Sequence, residues 1–136
     1  MHENKIVIII RDDLKTWQKL NVTAFLAGAV AIEFPELHGR PLTTASGNTY
    51  LPFFKQPVLV YKANDTGQMQ RVFKRAKERE LKIGIYPSQL FNMMNEQDNI
   101  DETGRHTDDE LDLVGLAIYG ENKIVNKAID GLKFHD

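Results

Sequence analysis

The residues best suited to chemistry sit near the N-terminus: Asp12, Asp13, Lys15, Lys19 and Asn21, in one stretch that follows an apolar run. A carboxylate beside ammonium groups can take a proton or position a water while a cation stabilises developing negative charge. On that reading Asp13 is the general base or water positioner and Lys15 or Lys19 the electrostatic stabiliser. Asn21 and Ser88 orient the substrate through hydrogen bonds. A plainer role competes for each. Asp13 also suits the start of a helix, where a carboxylate satisfies backbone donors, and Asn21 suits a cap or a local backbone partner. No pair of residues has the spacing of a nucleophilic triad or a metal site.

A second group is Arg105-His106. A histidine titrates near neutrality and can serve acid–base or substrate-binding work, although a lone loop histidine is more often simply solvated. These two lie in residues 95–110, which hold seven acids and one basic residue, Arg105. The calcium-loop pattern D-x-[DN]-x-[DN]-G fails there: Ile100 stands at the third position from Asp98, and Gly104 falls one place late. No metal site and no cofactor is expected.

A strand and a helix must position the first group. Ile6-Val7-Ile8-Ile9-Ile10 is bounded by charge on both sides, which predicts a strand buried on both faces. Its carboxyl end meets a helix N-terminus, where open α/β sheets bind ligands. The helix through Leu20 to Ile32 is apolar almost all round, with Ala24, Ala27, Gly28 and Ala31 among its larger residues. Such a helix is expected to be core rather than interface.

Residues 33–56 carry Pro35, Pro41 and Pro52 and a Ser46-Gly47-Asn48 turn, with Tyr50, Leu51 and Phe53 on a return arm. This excursion reads either as a lid or partner surface, from which His38, Arg40 and Ser46 could reach a ligand, or as cover for a sheet edge. Further strands are expected at 57–62, 82–86 and 111–119. Asp65 with Gln68 signals a capped helix start, and Met69, Val72, Phe73 and Ala76 follow at helical spacing. The basic residues from Arg71 to Lys82 read as a solvated helix face in preference to a local phosphate-binding one. Ser88 caps a short helix, the last helix runs from near Asn122 to Gly131, and Leu132-Lys133-Phe134 is extended. The order predicts a single α/β domain over residues 1–136: a mixed, mostly parallel four-stranded sheet with helices on both faces.

Composition narrows the classes. With no cysteine among 136 residues, disulfides, thiolate catalysis and cysteine-ligated metals are excluded. The longest apolar run near the N-terminus is too short for a membrane span, so no membrane partner and a cytoplasmic setting are expected. Residues 1–94 carry 13 basic against 8 acidic side chains and residues 95–136 carry 4 against 11, so a broad basic field for nucleic acid is absent.

Two stretches carry a family resemblance. One is Asp13-Leu14 followed by Leu20-Asn21-Val22-Thr23-Ala24-Phe25-Leu26-Ala27; the other is Leu111-Asp112-Leu113-Val114-Gly115-Leu116-Ala117-Ile118, then Gly120 and Lys123. Together they resemble the domain of unknown function 2000 family, whose fold is similar to that of type II peptidyl-tRNA hydrolases. The resemblance implies that fold and a hydrolytic site on an RNA-linked substrate. Asp13-Leu14-Lys15 match the hydrolases' Asp-Leu-Lys residue by residue. The chain departs from them where they carry Gly-Lys and a helical histidine, having Lys19-Leu20 and Ala27, and where they carry Asp-Ala-Gly, having Tyr86-Pro87-Ser88. Two readings therefore stand: a hydrolase with its pocket at the end of the first strand, or a non-catalytic module that binds a small molecule, a nucleotide or a protein. A homodimer held by Leu51, Phe53 and Phe54 is a further expectation.

Overall fold

In the computed structural model, which describes residues 2–136, the run Ile6 to Ile10 is the middle of β1 (Asn4–Arg11), and all five side chains are buried. The chain continues through α1 (Thr16–Glu33), a projecting hairpin of β2 (Leu42–Thr43) and β3 (Thr49–Tyr50), β4 (Val58–Ala63), α2 (Thr66–Glu78) and β5 (Lys82–Pro87). It ends with α3 (Glu96–Thr103), β6 (Leu113–Glu121), α4 (Asn122–Ala128) and β7 (Lys133–Phe134). Among the described residues no helix is long and apolar enough to cross a membrane.

The main sheet has five strands in the order β5-β6-β1-β4-β7. The expectation of four mostly parallel strands is corrected on both counts. Only β1 and β4 run parallel, Ile6 opposite Val58 through Arg11 opposite Ala63, with α1 in the crossover between them. β6 is antiparallel to both β1 and β5. The reason lies in the connection before it. α3 is one helix of eight residues, about 12 Å long, too little to carry the chain back along the sheet. β6 therefore starts where β5 stops, and the Ser88 N–H donates to the Asp112 carbonyl at 2.8 Å across that end. The fifth strand is the extended C-terminal segment, which pairs Tyr61 with Phe134 and stacks their rings 4.5 Å apart.

Alternate β1 residues serve two cores, which is why the strand shows no polar–apolar alternation. Ile6, Ile8 and Ile10 pack with Val22, Leu26 and Val30 of α1, while Val7 and Ile9 pack with Met69, Val72 and Phe73 of α2 and Val125 of α4. Helices thus lie on both faces, as expected, but unequally. Five strands spaced at about 4.8 Å span roughly 19 Å, whereas one helix is about 10 Å wide. α1 alone cannot cover its face, and a groove remains on either side of it.

That geometry overturns the expectation of a buried α1. Only Val22, Leu26 and Val30 are buried, while Trp17, Leu20, Phe25 and Ile32 are 56%, 68%, 60% and 85% exposed. Among the described residues no further layer lies outside α1 to cover its apolar outer side. The acidic segment is helical rather than a loop: Asn95 caps α3, its side-chain oxygen accepting from Asp98 N–H at 2.9 Å. The hairpin forms where Gly47 takes φ +86°, a backbone region open to glycine, and residues 40–53 are exposed throughout.

Candidate functional site

β1 ends in Arg11, whose side chain is nearly buried and holds the strand end together. Its Nε donates to Asp13 Oδ1 at 2.8 Å, and Nη1 donates to Asp112 Oδ1 at 2.6 Å and to Thr66 Oγ1 at 3.1 Å. Burial alone would push the Asp112 carboxyl upward, but hydrogen bonds from Ser88 and Arg11, with the Arg11 charge, outweigh it and hold the group below its ordinary range. Beside this network, Lys19 Nζ donates to Asp12 Oδ1 at 2.9 Å and holds that carboxyl low as well. His135 Nε2 lies 3.7 Å from the same oxygen.

The expected catalytic trio does not converge on one point. Asp13 is engaged by Arg11, Lys19 by Asp12, and Lys15 stands exposed at the start of α1, where its N–H donates to Gln18 Oε1 at 3.0 Å. Ser88 joins the Arg11 network through Asp112. Arg105 and His106 both reach Glu102, at 2.6 and 3.0 Å, and form a surface cluster after α3. Among the described residues no group of His, Asp and Glu is placed to hold a metal ion.

Asn21 belongs to a different place. Trp17, Asn21 and Phe25 recur every four residues along one side of α1 and face β5 across a pocket of about 380 Å³. Tyr86 of β5, Phe91 and Asn99 of α3 complete its chemically distinctive lining. The Phe91 ring lies 5.2 Å from Tyr86 and 5.8 Å from Trp17, and Phe25 meets Tyr86 edge-on at 6.0 Å. Tyr86 is 7% exposed; burial raises its phenol, which stays protonated and donates to Asn21 Oδ1 at 3.4 Å. Asn99 Oδ1 is buried and accepts no hydrogen bond from the described residues. The walls are therefore part aromatic and part aliphatic, the polar groups are carboxamides and a phenol, and no lining side chain is charged.

Of the candidate site residues named from sequence, only Asn21 lines this pocket. Trp17, the single tryptophan, and Phe25 stood four residues to either side of it, a detectable helical stripe. Tyr86 was legible only as a strand residue, Phe91 and Asn99 had no local signal, and neither did the union of Arg11 with Asp112, 101 residues further along.

Fold and site define an α/β domain with one mixed five-stranded sheet, a closed ion-pair network at the end of its central strand, and an uncharged aromatic pocket beside the helix that follows. The chain belongs to the family described as protein of unknown function (DUF2000), whose model matches residues 4–136. A solved structure of Atu0240 from Agrobacterium tumefaciens strain C58, described as a protein of unknown function, is 33% identical, with a TM-score of 0.96 and all of both chains covered. No curated protein matches.

Proposed function

We propose that the chain is a non-catalytic binding protein whose pocket beside α1 takes a flat, uncharged nitrogen heterocycle of the nucleobase type. The observation that carries this reading is the contrast between the two sites. The charged residues at the strand end neutralise one another, whereas the neighbouring pocket is lined by aromatic rings and the carboxamide residues Asn21 and Asn99, with no charged side chain. Aromatic walls favour a planar ring by stacking, and asparagine amides match the adjacent donor and acceptor edges of a base. The pocket volume falls within the range of small-molecule sites.

The hydrolytic reading suggested by the peptidyl-tRNA hydrolase resemblance is supported only by Asp13-Leu14-Lys15, and the engagement of Asp13 with Arg11 weighs against it. Titration of adenosine, cytidine and free bases against Trp17 fluorescence tests the proposal directly, since the only tryptophan lines the pocket. Saturable quenching that weakens by about tenfold or more in Asn21→Leu, which removes about 1.4 kcal/mol or more of binding, is the expected result. Failure of every nucleoside and base to quench at millimolar concentration overturns it. Cleavage of a peptidyl-tRNA that is lost in Asp13→Asn reinstates the hydrolase.

A further inference from the structure

We infer that the outer face of α1, the groove on its β4 side and the projecting hairpin form one interface, and that a second copy of this chain covers it. This inference is independent of the ligand pocket, which lies on the opposite side of α1. The groove, about 580 Å³, is lined by Ala27, Gly28 and Ala31 of α1 and by Pro52, Phe53 and Val58 across from them. Its rim is the base of the hairpin, so groove and hairpin are continuous.

Three observations favour a second copy. First, the hairpin has no core. Its strands are two residues each, residues 40–53 are all exposed, and Leu42, Tyr50, Leu51 and Phe53 are 46%, 58%, 84% and 73% exposed. Two short strands standing in water are not stable by themselves, so this arm is built to be covered. Second, the same surface supplies both the projecting apolar arm and an apolar cleft to receive one. A two-fold pairing needs that self-complementarity, each arm entering the partner's groove while α1 meets α1 across Ala24 and Gly28. A Cβ built at Gly28 meets nothing within 4 Å, so backbone there is open to close approach. Third, the area suffices. Leu20 and Ile32 of α1, which lie outside the ligand pocket, and the four apolar residues of the arm leave roughly 800 Å² open per copy, beyond the few hundred Å² usual for a monomer's largest patch. Pairing would bury roughly 1,600 Å² over both copies, within the range of stable dimers.

Light scattering of the purified chain tests this between micromolar and hundred-micromolar concentration. The expected wild-type mass is twice 15.5 kDa. Leu51→Glu on the arm and Gly28→Phe in the groove touch no core residue, and each is expected to weaken dimerisation at least about tenfold with an unchanged circular dichroism spectrum. Met94→Glu, at a 91% exposed position elsewhere, is expected to leave the dimer intact. A wild-type chain that stays at 15.5 kDa overturns the inference and assigns the face to a different partner. So does a dimer that survives both interface variants, or one that Met94→Glu also breaks.

Discussion

The packing of α1 on the sheet sets the shape of the pocket, and adding one methyl group at either of two glycines tests it. Gly115 of β6 and Gly84 of β5 both face α1, and Leu26 packs against both. A Cβ at Gly115 would lie 2.4 Å from Val22 Cγ1 and 2.8 Å from Leu26 Cδ1, where both side chains are almost fully buried. Val22 is β-branched and stiff in a helix, so relief requires α1 to lift from the sheet. Overpacking of this kind costs about 1–3 kcal/mol, against a gain of about 0.5–1 kcal/mol for replacing glycine within a strand. Gly115→Ala should therefore lose about 1–2 kcal/mol net. At Gly84 the nearest atoms lie at 3.4 Å or beyond, ordinary contact, so Gly84→Ala should gain up to about 0.5 kcal/mol. Urea unfolding at fixed protein concentration reads the difference. With m near 1–3 kcal/mol per molar, the midpoints should part by roughly 1 M, in opposite directions from wild type. Equal shifts of the two variants, or a Gly115→Ala protein no less stable than wild type, would refute the reasoning. Because Val22 and Leu26 share α1 with Trp17, Asn21 and Phe25, Gly115→Ala should also weaken any quenching ligand.

Acid should expose the strand-end network. Asp112 and Asp12 have folded-state pKa values below their unfolded ones, so their stabilisation is complete above about pH 4 and disappears as pH falls through the lower folded values. Asp112→Asn is expected to cost about 1 kcal/mol at pH 7, discounted for its partial exposure, and to flatten the decline between pH 5 and about 2. Parallel urea titrations at the two ends of that range check it, and an unchanged slope would remove Asp112 from the network. Asp65 accepts from Gln68 N–H at 2.8 Å at the start of α2, so Asp65→Ala should cost about 1 kcal/mol and Asp65→Asn a few tenths, measured by thermal unfolding.

What could be read from the chain alone is whatever local chemistry decides. The unbroken β-branched run of β1 announced a strand with two buried faces, Asp65 and Gln68 marked the start of α2, and Ser46-Gly47-Asn48 marked the turn of the arm. The two family stretches announced the family. Strand direction could not be read this way, because it depends on where a connection of mixed turns and one short helix delivers the chain. Nor could the exposure of α1: its residue pattern is that of a core helix, and only a sheet wider than one helix, with no second layer above it, leaves Leu20, Phe25 and Ile32 in the open. The candidate site divides in the same way. Trp17, Asn21 and Phe25 share a helical stripe visible in sequence, whereas Tyr86, Phe91 and Asn99 reach them from other elements, and Arg11 meets Asp112 only because β6 pairs beside β1. Composition and spacing therefore determined which residues could act, and tertiary structure decided which of them meet, because contacts between residues far apart in the chain exist only once the sheet is ordered.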